Sequence, residues 1–530
     1  MSVFVNGRVF TGAGEDAFAT AFRIRDGRFS RVGSLDDVST ADVSDADRAA
    51  AVDLDGRTVV PGLLDVHTHP AMMAALADAV PCLPPAVRSV DDLVVALRSH
   101  PAGSGWIEGY GYDDAQFPGG RGPTAADLDR VSATRPVLVR RCDGHSAVAN
   151  SVALRAAGIT GQTPDPDGAA FGRDADGRPT GVLTELAAVE RVAATMPAAD
   201  PDRLVERVAG LAEHFLARGI VGMADLLATA VPDPLRTFRA AAARAPLPRT
   251  ALYLGWSDLG PDPADLTDDD RRGHIRIAGV KLFLDGAYSN RTAWTNAPYP
   301  GSDACGLRLA GDEELRAAAR WCRRNRVQLA VHAMGDRALD LVVDLFGGDE
   351  PWLDQLPSIR LEHATLVSPA LIARLRTARM RFAVVSHTIF LFAEYHSYAA
   401  NLSRDQFEIA YPIRSLYESG LPAALGSDRP ATSWADADDV FTSIGAAVTR
   451  RAHTGADIGQ AERIGVAQAL LLYTARAAAV APLSGLGRIQ PGYEGSFVVL
   501  DRDPFTVPAD ELGAVRVAQT WVRGELAHQR

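Results

Sequence analysis

Two histidines stand one residue apart in the stretch GLLDVHTHP (62–70), just after the apolar run Thr58-Val59-Val60. Along an extended strand, residues i and i+2 point to the same side, so Asp65, His67 and His69 are expected on one face at a strand end. That spacing offers two imidazole nitrogens to one metal ion; the alternative is a pair of exposed loop histidines. The signature recurs. Lys281 lies in VKLFLDG (280–286), His332 closes VQLAVH (327–332), His363 closes RLEH (360–363) and Asp428 closes LGSD (425–428). Four of the chain's 12 histidines fall in this set. Imidazole and carboxylate ligands suit zinc and similar divalent ions. A single strand-end histidine is ordinarily a structural hydrogen-bond partner; recurrence at successive strand ends is what points to a metal centre. Asp428 is then placed to take a proton from water and pass it to a leaving group, with an N-cap role as the alternative. Lys281, Phe283 and Asp285 share a strand face. A buried lysine is costly as a cation, and burial lowers its pKa. Lys281 therefore reads either as a neutral amine that adds CO2 and bridges two metals as a carbamate, or as an unmodified lysine held by substrate or by Asp285.

These residues need a frame that aims many strand ends at one point. Between residues 58 and 482, strand-like runs alternate with Ala/Leu/Arg-rich helical patterns such as 202–218, 311–325 and 368–379. That alternation argues for parallel βα units. Strand candidates are 59–66, 137–140, 219–225, 279–285, 327–332, 360–363, 381–385 and 422–428. Their number, about eight, predicts an α/β fold built on a (β/α)8 barrel with its chemistry at the C-terminal strand ends. An insertion is expected around 80–200; its Gly/Pro/Asp-rich part, 160–180, reads as a loop or small inserted element. The two chain ends are β-rich instead. Asn6-Gly7 and Asp26-Gly27, each between apolar runs, signal hairpins, and segments 495–500 and 514–522 continue the pattern. Residues 1–57 and 483–530 are expected to pair into one small β-sandwich.

Composition narrows the function classes. The 530 residues carry a net charge of −12, with 47% hydrophobic and 23% charged residues. That is a globular composition with more than one core, and it argues against a nucleic-acid surface. The four cysteines, without a CxxC pair, support neither a disulfide framework nor a thiolate zinc site. The N-terminus shows no signal-peptide pattern and no apolar run reaches membrane-spanning length. A soluble cytoplasmic protein acting on a small molecule is expected; apolar edge segments permit a homodimer.

Taken in order, PGLLDVHTH (61–69), DGHSAVANS (143–151), KLFLDGAYSNRT (281–292), VHAMGDRA (331–338), LEHATLV (361–367), LGSDRP (425–430) and GRIQPGYEGSFVVLDRDP (487–504) resemble the amidohydrolase superfamily, in the amidohydrolase 3 branch that includes N-substituted formamide deformylase. The resemblance implies a (β/α)8 barrel with a β-sandwich made from both termini. It implies one or two divalent ions, zinc foremost, on His67, His69, His332, His363 and Asp428, with Asp428 also the general base. Lys281 matches the position that related enzymes carboxylate. His145 is implied to bind or polarise the scissile carbonyl, and Arg291 and Glu185, the latter in a GxLxE pattern, to serve substrate binding. The implied reaction is hydrolysis of an amide-type C–N bond, N-formyl or N-acyl. The same site would serve a deaminase or an ester or lactone hydrolase, whereas a non-catalytic barrel would have lost ligands. One departure stands out. Where relatives often carry Gln-Pro after the seventh strand, this chain has Ser386-His387-Thr388 and the aromatic run IFLFAEYHSY (389–398). His387 and His396 there read as substrate contacts or as packing and surface residues.

Overall fold

The computed structural model describes residues 1–39, 50–100, 105–142, 144–197 and 200–530. Its centre is a sheet of eight parallel strands: β1 (Leu63–Thr68), β2 (Ile220–Asp225), β3 (Arg249–Gly255), β4 (Ile275–Phe283), β5 (Gln328–Ala333), β6 (Ile359–His363), β7 (Phe382–Ser386) and β8 (Ala423–Leu425). They are hydrogen-bonded in chain order. The ring closes through the segment after β8: the Asp428 N–H donates to the His67 carbonyl and the His69 N–H to the Arg429 carbonyl, each at 2.8 Å. Gly426 permits this approach, because a Cβ there would stand 2.7 Å from that of His67. Helices cover the outside. The helix Pro201–Leu216 starts with an Asp200 cap and Pro201 in its first turn, and it buries Leu204, Val208, Ala212 and Phe215 at helical spacing.

The barrel is as expected, but one predicted barrel strand lies outside it. Val137–Arg141 belongs to a separate six-stranded sheet between β1 and β2, running from Val80–Pro81 to Pro179–Thr184. Its place in the barrel is taken by β3, RTALYLG. That run ends in glycine rather than a polar residue, so a search for polar strand ends passes over it.

The two chain ends meet in sheets beside the barrel. Thr58–Pro61 pairs antiparallel with Phe497–Leu500 and parallel with Arg8–Phe10, so this terminal sheet extends as far as Pro61. The Asp26-Gly27 hairpin forms between Ala21–Arg25 and Arg28–Gly33. The Asn6-Gly7 hairpin does not: Ser2–Val5 pairs with Ala21–Arg25, and Arg8–Phe10 enters the other sheet. Long-range packing overrides the turn signal, since Phe4 contacts Phe22 and Phe497 while Phe10 contacts Phe18 and Phe505. Among the described residues no helix is long and apolar enough to cross a membrane.

Candidate active site

The C-terminal strand ends converge on Asp428. β1 is not a plain strand there: Met223 of β2 faces Asp65 and Asp225 faces Thr68, so β1 carries an extra residue between them. This bulge breaks strict alternation. Asp65 is consequently not a third member of the histidine face. Its carboxylate accepts from the backbone N–H groups of His67 and Ser427, both at 3.2 Å, and burial pushes its carboxyl up to about 7. His67 and His69 instead bring Nε2 to Asp428 Oδ1, at 3.1 and 2.7 Å. His363 places Nδ1 3.9 Å from Asp428 Oδ2. Asp428 and His363 both hold left-handed backbone, with φ of 54° and 69°. Such strain costs about 1–3 kcal/mol per residue and persists where surrounding structure enforces it.

These residues fit a metal ion. His67 Nε2, His69 Nδ1, His332 Nδ1 and His363 Nδ1 are buried and lack a hydrogen-bond partner among the described residues. The rings are close-set, with centroids 4.4 Å apart for His332 and His363 and 4.7 Å for His67 and His363. Burial, then the neighbouring cationic groups, hold His332 and His363 well below the usual imidazole range, which keeps them as neutral lone-pair donors. His67, His69 and Asp428 form one triplet whose ligand atoms lie within 4.8 Å of one another.

Beneath the ligands lies a network that the sequence reading missed. His67 Nδ1 donates to Glu362 at 2.7 Å. Arg360 grips Glu362 through Nε at 2.6 Å and Nη2 at 3.2 Å, the Tyr253 hydroxyl through Nη1 at 2.9 Å and the Val66 carbonyl at 2.7 Å. Arg360 and Glu362 are fully buried. The small side chains Ala224, Ala251, Ala278 and Ala330 leave room around Tyr253, on which the Arg360 guanidinium lies. Burial opposes ionisation of Glu362, but Arg360, His67 and Lys281 outweigh it and hold the carboxyl below its ordinary range. A carboxylate behind a ligating histidine sets its tautomer and direction.

Lys281 is buried with its Nζ 5.2 Å from the Phe283 ring centre. Burial pushes its pKa down to about 8, against the pull of Glu362 and Asp428. Asp285 is not its partner: the carboxylate accepts from the backbone N–H groups of Trp294, Met334 and Gly335 at 2.8–3.0 Å.

The inserted sheet supplies the outer wall. Ser146–Ala149 pairs antiparallel with Pro179–Thr184, with Ser146 opposite Thr184. His145 and Glu185 are therefore neighbours, and His145 Nδ1 lies 3.0 Å from Glu185 Oε2 with both buried. Glu185 has φ of 66°. It holds His145, which lines the cavity with Lys281, His332 and Asp428. Asp143 of the same motif lies outside the described residues. Arg291 is exposed, donates to Asn401 at 2.8 Å and does not line that cavity. His387 is buried at the end of β7, whereas His396 is exposed.

A parallel barrel that gathers imidazoles, a lysine and a carboxylate at its C-terminal mouth is the frame of a metal-dependent hydrolase. The chain belongs to the amidohydrolase family, whose model, described as "Amidohydrolase family", matches residues 50–528. It is 28% identical over 550 residues to N-substituted formamide deformylase of Arthrobacter pascens, covering 100% of this chain and 98% of the relative. It is 27% identical to the putative amidohydrolase YtcJ of Bacillus subtilis, covering 100% and 99%. Among solved structures, an uncharacterized metal-dependent hydrolase from Pyrococcus furiosus superposes with a TM-score of 0.71 at 24% identity, over 95% of this chain and 100% of that one. Atrazine chlorohydrolase of Arthrobacter aurescens TC1, solved with zinc, shares the fold at a TM-score of 0.55 and 15% identity, over 99% and 95%.

Proposed function

We propose that this chain hydrolyses the C–N bond of a small amide, of the N-formyl or N-acyl type, with one or two divalent ions, zinc foremost. The observation that carries this reading is the convergence of His67, His69 and His363 on the Asp428 carboxylate, beside a cavity that His332, His145 and Lys281 also line. Full-length similarity to a formamide deformylase supports an amide as the substrate.

His67, His69, His332, His363 and Asp428 would hold the ion, and Lys281, as a carbamate, would add an anionic oxygen ligand where a second ion is taken up. A divalent ion in this site lowers the pKa of water towards neutrality and polarises a carbonyl. Asp428 accepts the proton of the attacking water and returns it to the departing nitrogen. His145 faces the carbonyl oxygen. Glu185 behind it accepts from Nδ1 and fixes the ring's direction, so that Nε2 is turned to the developing negative charge. Lys281, with its lowered pKa, has a neutral fraction near pH 8 able to take up CO2.

Asp428→Asn tests the reading on a panel of N-formyl and N-acyl amines. Turnover falls by at least about 100-fold, the worth of a general base, while bound metal is retained by the histidines. Near-native turnover removes Asp428 from the chemistry. Failure of the metal-loaded wild type on every amide removes the substrate class.

A further inference from the structure

We propose that His387 is an additional ligand of the metal centre, so that β7 contributes an imidazole to the ion's surroundings. This rests on the metal-dependent reading above. His387 directly follows β7, and its ring is fully buried. Nδ1 lies 2.9 Å from the Gly426 carbonyl. A carbonyl only accepts, so Nδ1 carries the proton and Nε2 is left with its lone pair. Nε2 is buried and has no hydrogen-bond partner among the described residues. The ring stands in a crowded set: its centre lies 4.7 Å from that of His67 and 4.9 Å from that of His363, and one ring nitrogen from each of the three lies within 4.8 Å of the others. An ion about 2.0–2.1 Å from each nitrogen needs only small inward shifts to join them.

The ring is also held in place. Phe390 stacks on His387 at 5.0 Å and on His363 at 6.0 Å, so the two imidazole planes are set by one aromatic side chain. A carbonyl behind a buried imidazole is the support that ligating histidines receive. His67 has a single nitrogen to offer, since Nδ1 is committed to Glu362. The triplets His67/His69/Asp428 and His67/His363/His387 share His67, so His387 adjoins the same ligand cluster. The Nδ1 hydrogen bond would serve a packing role equally; the buried, unpartnered Nε2 is what points to a ligand.

The test loads the full-length wild type, His387→Gln and His387→Ala with Zn2+ and with Co2+. Zinc affinity is read by chelator competition and the coordination sphere by the visible Co2+ spectrum. Both variants are expected to lose about 100-fold or more in zinc affinity, beyond the roughly 10–100-fold cost of removing an outer partner, with a changed Co2+ spectrum. Wild-type affinity and spectrum in folded variants overturn the proposal while leaving the metal reading intact. A wild type that takes up no metal overturns both. If the variants fail to fold, the crystal structure of the zinc-loaded wild type decides. Nε2 about 2.0–2.1 Å from the zinc peak supports the assignment, and a separation beyond about 3 Å overturns it.

Discussion

Replacing Arg360 by methionine keeps much of the side chain's length and apolar bulk but removes the guanidinium that neutralises Glu362. Arg360 is fully buried and makes two bonds to Glu362, one to Tyr253 and one to the Val66 carbonyl. Stranding one member of a buried ion pair costs about 3–5 kcal/mol, and the orphaned Val66 carbonyl adds about 1–3 kcal/mol. The sum, about 4–8 kcal/mol, is comparable to the whole stability of an ordinary domain, about 5–15 kcal/mol. The assay is urea denaturation of metal-free protein followed by circular dichroism. Arg360→Met/Glu362→Gln should recover about half of the loss, because neither position then carries a buried charge and the amide oxygen introduced at position 362 still accepts from His67. A pH series adds a second reading. The wild-type Glu362 carboxyl sits below its ordinary range, so its contribution is complete above about 4.3 and lost as pH falls further. In Arg360→Met the sign reverses: burial without the guanidinium raises that carboxyl, so the deficit shrinks as acid protonates it. A double variant no more stable than Arg360→Met alone, at every pH, would refute the stranded-charge argument.

Two further predictions concern the walls of the site. Glu185→Gln should lower kcat by about 10–100-fold with metal content unchanged, because Glu185 orients His145 at 3.0 Å; unchanged kcat would show that His145 needs no carboxylate behind it. Asp285→Asn should destabilise the protein by about 1–3 kcal/mol, since one amide oxygen cannot serve the Trp294, Met334 and Gly335 N–H groups that two carboxylate oxygens accept. Native-like urea denaturation would remove that role.

Part of this molecule is legible in one dimension because burial leaves a local trace. His67, Lys281 and His332 each lie within or directly follow an apolar run, His69 and His363 are set off from apolar residues by Thr68 and Glu362, and Asp428 follows an apolar run by two residues. Such runs can be read as strands buried on both faces. The β-rich character of both chain ends was legible, and the strand Thr58–Pro61 that joins Phe497–Leu500 lies just past the expected boundary at 57. Assigning each run to its sheet was harder. Val137–Arg141 and Arg249–Gly255 are both short and apolar, and only the sheet partners distinguish the insertion from the barrel. The Asn6-Gly7 signal failed for the same reason: a turn motif reports local backbone preference, while Phe4 and Phe10 are claimed by different aromatic clusters. Glu185 matched a motif whose purpose was hidden until antiparallel pairing set it beside His145.

What the sequence by itself determined is the chemical inventory: strand-end imidazoles, a lysine and a carboxylate in the order of an amidohydrolase, on a chain able to build a (β/α)8 barrel. Tertiary structure alone decided how these groups are aimed. The bulge in β1 turns Asp65 away from the ligands. The barrel brings Glu362 onto His67 across 295 residues and sets His387, at the end of β7, beside the ligand cluster. The physical reason is the range of the interactions. Strand propensity and burial act over a few neighbouring residues and leave a periodic pattern. The direction of a buried imidazole is set instead by its second hydrogen-bond partner, which barrel register supplies from a distant part of the chain.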